Sequence, residues 1–286
     1  MLFSTILLKT KVGGARMEDS ARIADEMERH AKIHGFRVIR NIKEVDAPEH
    51  TIMIPIGGDG TALAGALETL KHGRPIPIIG INIGNLGFLT DLPPTQTREM
   101  THAFFDSLKD PSGLKYDRRT VLEVKALGST CMAMNDVVVS GKYSDTMIQY
   151  ELHVGASFAG KHKANSLIVS TPTGSTAYAM AAGGAIIEPD LDVMEIIPVA
   201  AASMSARPMI VGGHNVVTVR VSGNADLRLS VKADGQSLPY VLPPDHNTTL
   251  PYEVKIIRLE EKVTLIHAAS WNFFDVLSEK LHWNSR

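Results

Sequence analysis

The stretch Thr51-Ile52-Met53-Ile54-Pro55-Ile56-Gly57-Gly58-Asp59-Gly60-Thr61 decides how the first part of the chain is read. Its apolar half, 51–56, shows no polar alternation and so predicts a strand buried on both faces, as in a parallel sheet. Residues 62–71 follow with Leu63, Ala66, Leu67 and Leu70 at helical spacing. A strand, a glycine turn and a helix N-terminus in succession let backbone N–H groups approach a phosphate, and the helix dipole favours its charge. Asp59 is the unusual member. A carboxylate in an anion-binding turn repels phosphate unless it acts as a base or is bridged by a cation. The combination points to phosphoryl transfer to a hydroxyl. A plain strand–turn–helix connection with Asp as a helix cap is the structural alternative.

Working outward, the first third alternates strand and helix. Strands are expected over 3–8, 36–39, 51–56 and 77–81. Helices are expected over 20–34, closed by Gly35, over 62–71 and over 96–108. This rhythm predicts a parallel, Rossmann-like sheet with ligands gathering at the carboxyl ends of its strands, where the Gly57 turn and the loop after Gly84 both fall. From about Arg118 the period changes to two. Short strands are expected over 120–125, 132–140, 147–154, 167–169, 216–221, 227–232 and 253–259, with one helical interruption at 175–183. The fold expectation is therefore an α/β N-terminal domain, residues 1–117, plus a β-rich C-terminal domain, residues 118–259. The amphipathic tail, with Phe273, Phe274, Leu277 and Leu281 on one face, is expected to return with 260–286 to the first domain.

Composition narrows the function classes. A net charge of −2 over 286 residues gives no bulk attraction to nucleic acid or to an anionic membrane. No apolar stretch reaches the roughly 20 residues a membrane span needs. The N-terminal Met1–Leu8 run reads as a strand, not a signal segment, so a cytoplasmic location is expected. The single cysteine, Cys131, excludes an internal disulfide framework. The 11 histidines form no HExxH or other close ligand set, so metal-ligating residues are not identified.

Three further constellations carry chemistry. In Ser170-Thr171-Pro172-Thr173-Gly174-Ser175-Thr176-Ala177-Tyr178 a strand feeds a loop of hydroxyls and glycine that opens a helix, a second candidate phosphate cradle. Ser and Thr also favour helix caps, but there are more hydroxyls here than one cap needs. Asn135-Asp136 interrupts the apolar run Met132–Val139. Buried unpaired, each polar group would cost on the order of 1–3 kcal/mol, so the pair binds a ligand, sits at a β-bulge or is satisfied within the core. Asp234-Gly235-Gln236 by itself is a hairpin turn.

In that order and spacing, Gly57–Thr61, Asn135-Asp136 and Ser170–Tyr178 resemble the NAD kinase family. Supporting matches are Gly84–Thr90, Ala182-Gly183-Gly184, Ser205-Ala206-Arg207-Pro208, Asp234-Gly235-Gln236 and the tail Phe274 to Trp283, so the resemblance runs over nearly the whole chain. The GGDGT segment alone is shared with diacylglycerol and sphingosine kinases; TPTGSTAY with the Asn-Asp pair is more specific. The resemblance implies transfer of a phosphoryl group from ATP or inorganic polyphosphate to the 2′-hydroxyl of the adenosine ribose of NAD. It implies an α/β domain plus a C-terminal β-sandwich-type domain, and a homodimer or homotetramer; apart from the resemblance, a divalent metal such as Mg²⁺ is expected to spread the charge on the donor phosphates. Asp59 then resembles the general base, and Gly57, Gly58 and Gly60 with Thr61 the phosphate-lining turn. Asn135 and Asp136 would hold the adenosine part of NAD. Thr173, Gly174, Ser175, Thr176, Ala177 and Tyr178 would contact the nucleotide, with Ala179, Met180 and Ala181 nearby, and Gln236 matches a further NAD-contacting position.

Two departures stand out. Where the family has a basic residue, one residue, then Asp-Gly, this chain has Lys163-Ala164-Asn165-Ser166, so Lys163 keeps the charge and Asn165 replaces the Asp that helps hold the nicotinamide half. Where the family often has Pro-His-Ser or Pro-His-Thr, this chain has Ala201-Ala202-Ser203. The first departure implies weaker NAD binding or an altered choice between NAD and NADH. The alternatives weighed against an NAD kinase are a related kinase with another hydroxyl acceptor and a non-catalytic NAD(P)-binding regulatory homologue.

Overall fold

The computed structural model describes residues 3–90, 92–93, 98–110, 113–143, 146–222, 229–239 and 251–283. The chain divides into two compact units, Met1–Arg118 with Val263–Arg286, and Arg119–Lys262. The first opens with β1 (Thr5–Thr10), α1 (Met17–Ile33), β2 (Arg37–Ile39), β3 (Thr51–Gly57), α2 (Asp59–Lys71), β4 (Ile81–Asn82), α3 (Arg98–Lys109) and β5 (Leu114–Arg119). The strands β2-β1-β3-β4 form one parallel sheet. All seven residues of β3 are buried, as its unbroken apolar run predicts. Ile52, Ile54 and Ile56 meet Ala24, Met27 and Ala31 of α1 and Phe105 of α3 in one core. Met53 faces the other way, where a Cβ on Gly65 of α2 would lie 2.7 Å from its sulfur, so α2 packs closely there. Of the expected strand 77–81 only its end is paired as β4, with Ile78 making isolated bridges. The expected start of α3 at Gln96 lies outside the described residues.

The helix after the glycine turn begins three residues earlier than its apolar spacing suggests. Gly58 is the extended N-cap, and its carbonyl accepts the N–H groups of Thr61 at 2.8 Å and Ala62 at 3.3 Å. Asp59 therefore occupies the first turn of α2. Ser20 of α1 ties the ends of two strands beside that turn: its buried hydroxyl donates to Ile56 O at 2.6 Å and accepts from the Lys11 N–H at 3.0 Å.

The second unit holds β6 (Leu122–Ala126), β7 (Ser129–Ala133), β8 (Asp136–Gly141), β9 (Ile148–Val154), β10 (Ser157–Ala164), β11 (Ser166–Ser170), α4 (Tyr178–Ala181), β12 (Val193–Val199), β13 (Met209–Gly212), β14 (Val217–Ser222), β15 (Leu229–Ala233), β16 (Gln236–Ser237) and β17 (Tyr252–Arg258). They form two six-stranded sheets, ordered β10-β9-β14-β17-β6-β7 and β13-β12-β11-β8-β15-β16. Their pairings are antiparallel. One apolar core takes Leu122, Val124, Leu152, Val219 and Val254 from the first sheet and Val137, Val139, Leu167, Val169 and Val231 from the second.

Two expectations are corrected here. The single strand expected over 132–140 is two, because the chain leaves the first sheet after Ala133 and enters the second at Asp136. The helix expected over 175–183 is a 3-10 turn, Thr173–Thr176, a break at Ala177 and the four residues of α4. Side-chain hydroxyls compete for backbone carbonyls here and shorten the helix.

The chain then returns to the first unit as β18 (Val263–Ala268) and α5 (Phe273–Lys280). β18 pairs with β5, and Ile78 donates to Thr264 O and accepts from Ile266 N. Asn272 caps α5 by accepting the Phe274 N–H at 2.9 Å. The helix buries Phe273, Val276 and Leu277, so Val276 takes the place expected of Phe274, which is largely exposed, and Leu281 is the half-buried C-cap.

Candidate functional site

In the first unit the GGDGT turn is organised around the Asp59 carboxylate. Oδ1 accepts the N–H groups of Leu89 at 3.0 Å and Thr90 at 3.1 Å, and the Thr90 hydroxyl at 3.0 Å. Oδ2 accepts the Phe88 N–H at 2.8 Å and lies 3.8 Å from the Lys280 ammonium. A carboxylate offers roughly four lone-pair sites, so Oδ1 is saturated and Oδ2 keeps room for one more partner. A Cβ on Gly87 would come within 2.0 Å of Oδ1, so only glycine lets the loop close on this carboxylate. The three glycines of the turn differ. A Cβ at Gly57 would strike the Thr61 hydroxyl at 2.2 Å, whereas at Gly58 or Gly60 it would meet nothing within 4 Å. Gly57 and Thr61 thus build the turn, and Gly58 and Gly60 present open backbone. Since α2 has no side-chain cap, its first N–H groups face that opening without an intrahelical partner.

In the second unit Asn135-Asp136 lies at the crossing between sheets, and a carboxylate again holds the crossing. Asp234 accepts the N–H groups of Met134 at 2.8 Å, Asn135 at 2.8 Å and Asp136 at 3.1 Å. Asp234 and Gly235 both have positive φ, as a two-residue hairpin between β15 and β16 requires. The turn that reads from sequence as a simple hairpin is therefore the anchor of the Asn-Asp pair. No local signal could have shown this, because the partners are about a hundred positions away. Burial, and after it the Asp234 carboxylate, push Asp136 up to about 6. Asp234 is itself raised by burial, against the lowering effect of its three N–H donors.

The hydroxyl-rich loop docks on the same crossing. Thr171 N–H donates to Asn135 O at 2.9 Å, the Thr171 hydroxyl donates to Met134 O, and a Cβ on Gly174 would lie 2.1 Å from Asn135 O. Ser170 donates to Thr171 O at 2.9 Å, and Ser175 to Pro172 O at 2.7 Å while accepting from Ile187 N at 3.0 Å. The Arg119 guanidinium, itself buried, reaches Thr173 Oγ1 at 3.4 Å. Most hydroxyls that read as a phosphate cradle thus shape the loop. Ala179 is buried against Val138, Ile168 and Ile197. Half-buried Thr176, Ala177 and Met180, with exposed Tyr178 and Ala181, form its accessible surface. Gln236 is exposed on β16 beside Ala233.

The two departures noted in the sequence are neighbours in space. Asn165 N–H donates to Val199 O at 3.0 Å and Ala202 N–H to Lys163 O at 2.8 Å. Lys163 and Asn165 are both exposed, so this corner of the unit presents one cation and an uncharged amide.

The model of the ATP-NAD kinase N-terminal domain matches residues 4–108, and that of the ATP-NAD kinase C-terminal domain matches 134–267. An NAD kinase of Pseudomonas putida is 36% identical over 239 residues, covering 82% of this chain and 76% of the relative. The chain belongs to the NAD kinase family. An NAD kinase of Pseudomonas aeruginosa is 35% identical over 237 residues, covering 82% of this chain and 77% of that relative. Two solved structures share the fold. Yeast NADH kinase complexed with NADH has a TM-score of 0.79 at 19% identity, covering all of this chain and 89% of that one. An NAD kinase from Archaeoglobus fulgidus in complex with ATP has a TM-score of 0.70 at 23% identity, covering 97% and 98%. Membership makes the chain a kinase that forms NADP from NAD. The Asn-Asp pair, the hydroxyl-rich loop and the Asp234 turn all lie within the C-terminal family match.

Two predictions follow from the Asp234 anchor. Asp234→Ala strips three N–H groups of a charged acceptor and is expected to cost about 2–4 kcal/mol of stability in urea unfolding, whereas a bystander turn residue would cost almost nothing. The pH dependence has a definite sign. An unfolded Asp titrates near 3.8, while native Asp136 holds its proton up to about 6. The native state therefore binds more protons between those values, and stability falls as pH rises through that window. Urea midpoints taken across it should fall less steeply in Asp136→Asn than in the native sequence, with buried Asp234, itself raised, adding to the fall in both.

Proposed function

We propose that Asp59 is the general base of the phosphoryl transfer. The proton of the ribose 2′-hydroxyl moves to Asp59 Oδ2 as the hydroxyl oxygen bonds to the γ-phosphorus, and the β–γ bridging oxygen leaves with its electron pair as ADP. The observation that carries this reading is the asymmetric use of the carboxylate: Oδ1 is filled by three donors, and Oδ2 keeps a free lone pair beside the open N-terminus of α2. A ribose hydroxyl is a weak acid, so a positioned carboxylate helps mainly as the transition state develops. The rigid grip of the 88–90 loop is what makes that position reproducible.

The remaining assignments are of the same kind. Residues 1–117 with 260–286 form the domain that receives the donor at the open backbone of Gly58 and Gly60, in the turn that Gly57 and Thr61 build. Residues 118–259 form the domain that holds NAD through Asn135, Asp136, Lys163, Asn165, Gln236 and the loop from Thr173 to Ala181. ATP is the donor this reading favours, with inorganic polyphosphate as the variant. A divalent metal such as Mg²⁺ accompanies it. Among the described residues no group of three His, Cys, Asp or Glu could hold an ion. The cation would sit chiefly on donor phosphates and water. When bound, it spreads the charge of the transferring phosphates. Among the described residues no helix is long and apolar enough to cross a membrane. A homodimer or homotetramer completes the proposal on the strength of the resemblance, and a cytoplasmic location accords with a net charge of −2 that gives no bulk attraction to an anionic membrane.

The test is NADP(H) formation from Mg²⁺-ATP with NAD or NADH as acceptor. Asp59→Asn is expected to lower kcat by about 10²–10⁴ with NAD affinity retained; a variant as fast as the native enzyme would remove Asp59 from the chemistry. At the departed corner, Asn165→Asp restores an anion beside Lys163, and the KM for NAD should fall about three- to fivefold relative to that for NADH, the scale of an exposed charge contact.

A further inference from the structure

Lys280, the last residue of α5, reads at first as an ordinary cation complementing a helix C-terminus. Three observations give it more. Its ammonium lies 3.8 Å from Asp59 Oδ2, too far for a hydrogen bond but close enough for a strong Coulomb interaction. It sits 4.4 Å from the centroid of the Phe88 ring, a cation–π distance. That same Phe88 donates its N–H to Oδ2 at 2.8 Å, and its ring meets Phe273 of α5 at 6.1 Å. Helix α5 therefore grips the 88–90 loop at both its first and last residues, and the loop in turn holds Asp59.

We propose that Lys280 is a positioning residue that fixes Oδ2 as the proton-accepting oxygen of Asp59. It does so by orienting the carboxylate through its charge, from a distance of 3.8 Å that leaves the Oδ2 lone pair unoccupied, with the Phe88 ring 4.4 Å from the same ammonium. This rests on Asp59 being the base: the hydroxyl proton goes to Oδ2, the oxygen pair forms the new P–O bond, and ADP leaves with the bridging electrons. The ammonium is neither consumed nor deprotonated in that step. No feature of the tail sequence assigns this role, because the contact exists only once the chain has returned from the second unit.

The experiment is steady-state kinetics of Lys280→Met, Lys280→Arg, Asp59→Asn and the Lys280→Met/Asp59→Asn double variant, with thermal melting of each. Lys280→Met is expected to lower kcat about fivefold, the scale of a partly exposed ion pair. Its KM values for NAD and ATP and its melting temperature should stay at native values. Lys280→Arg should recover most of the rate. In the Asp59→Asn background Lys280→Met should have no further effect, because the oxygen it acts on has lost its charge. A native rate in Lys280→Met overturns the inference. So does a raised KM for ATP with kcat intact, which would make Lys280 a donor-phosphate ligand. An undiminished effect of Lys280→Met in the Asp59→Asn background overturns it as well. If Lys280→Met fails to fold, Phe88→Leu, which removes the ring beneath the ammonium, must lower kcat or the inference falls. Failure of the underlying reading looks different, since Asp59→Asn itself would then turn over at the native rate.

Discussion

A carboxylate that accepts three consecutive backbone N–H groups is the interaction on which both halves of this protein depend. Asp59 collects those of Phe88, Leu89 and Thr90, and Asp234 those of Met134, Asn135 and Asp136. A loop whose consecutive N–H groups point one way cannot satisfy them with its own carbonyls, and leaving them buried and unpaired costs about 1–3 kcal/mol each. An anion solves the problem for all three at once. It also fixes the loop to within the tolerance of three charge-assisted hydrogen bonds.

The two anchors do different work. Asp234 holds the crossing at which Asn135 and Asp136 leave one sheet and enter the other, with two N–H groups on Oδ1 and one on Oδ2. Asp59 builds as well, and its less loaded oxygen lies beside the open glycine turn and the Lys280 ammonium. The glycines follow from this arrangement. Gly87 is needed because the loop closes onto Asp59, and Gly174 because its loop closes onto Asn135 O. In each case the constraint is a close approach of backbone to a polar atom that any Cβ would block.

The hydroxyl-rich loop shows how a functional motif and a structural one share residues. Ser170, Thr171 and Ser175 spend their hydroxyls on carbonyls around them, which shortens the helix that periodicity suggests and leaves Thr176, Ala177, Tyr178, Met180 and Ala181 as the accessible surface. Strands β10 and β12 escape the sequence for related reasons. β10 is a largely exposed edge with a register shift near Gly160, and β12 carries a buried Glu195, so neither shows a clean alternation.

By itself the sequence determined the alternation of strand and helix in the first unit, the change of period near residue 118, the GGDGT turn and the motifs that mark the family. These are local: a run of apolar residues, a glycine pair or a hydroxyl cluster carries its meaning within a few positions. Only the tertiary structure decided that Asp59 is clasped by residues 88–90 and faces Lys280, that Asp234 anchors a site about a hundred positions upstream, and that Asn165 and Ala202 share one corner. Each of those is a contact between segments distant in the chain. It depends on sheet order and register, which side-chain pattern alone does not specify.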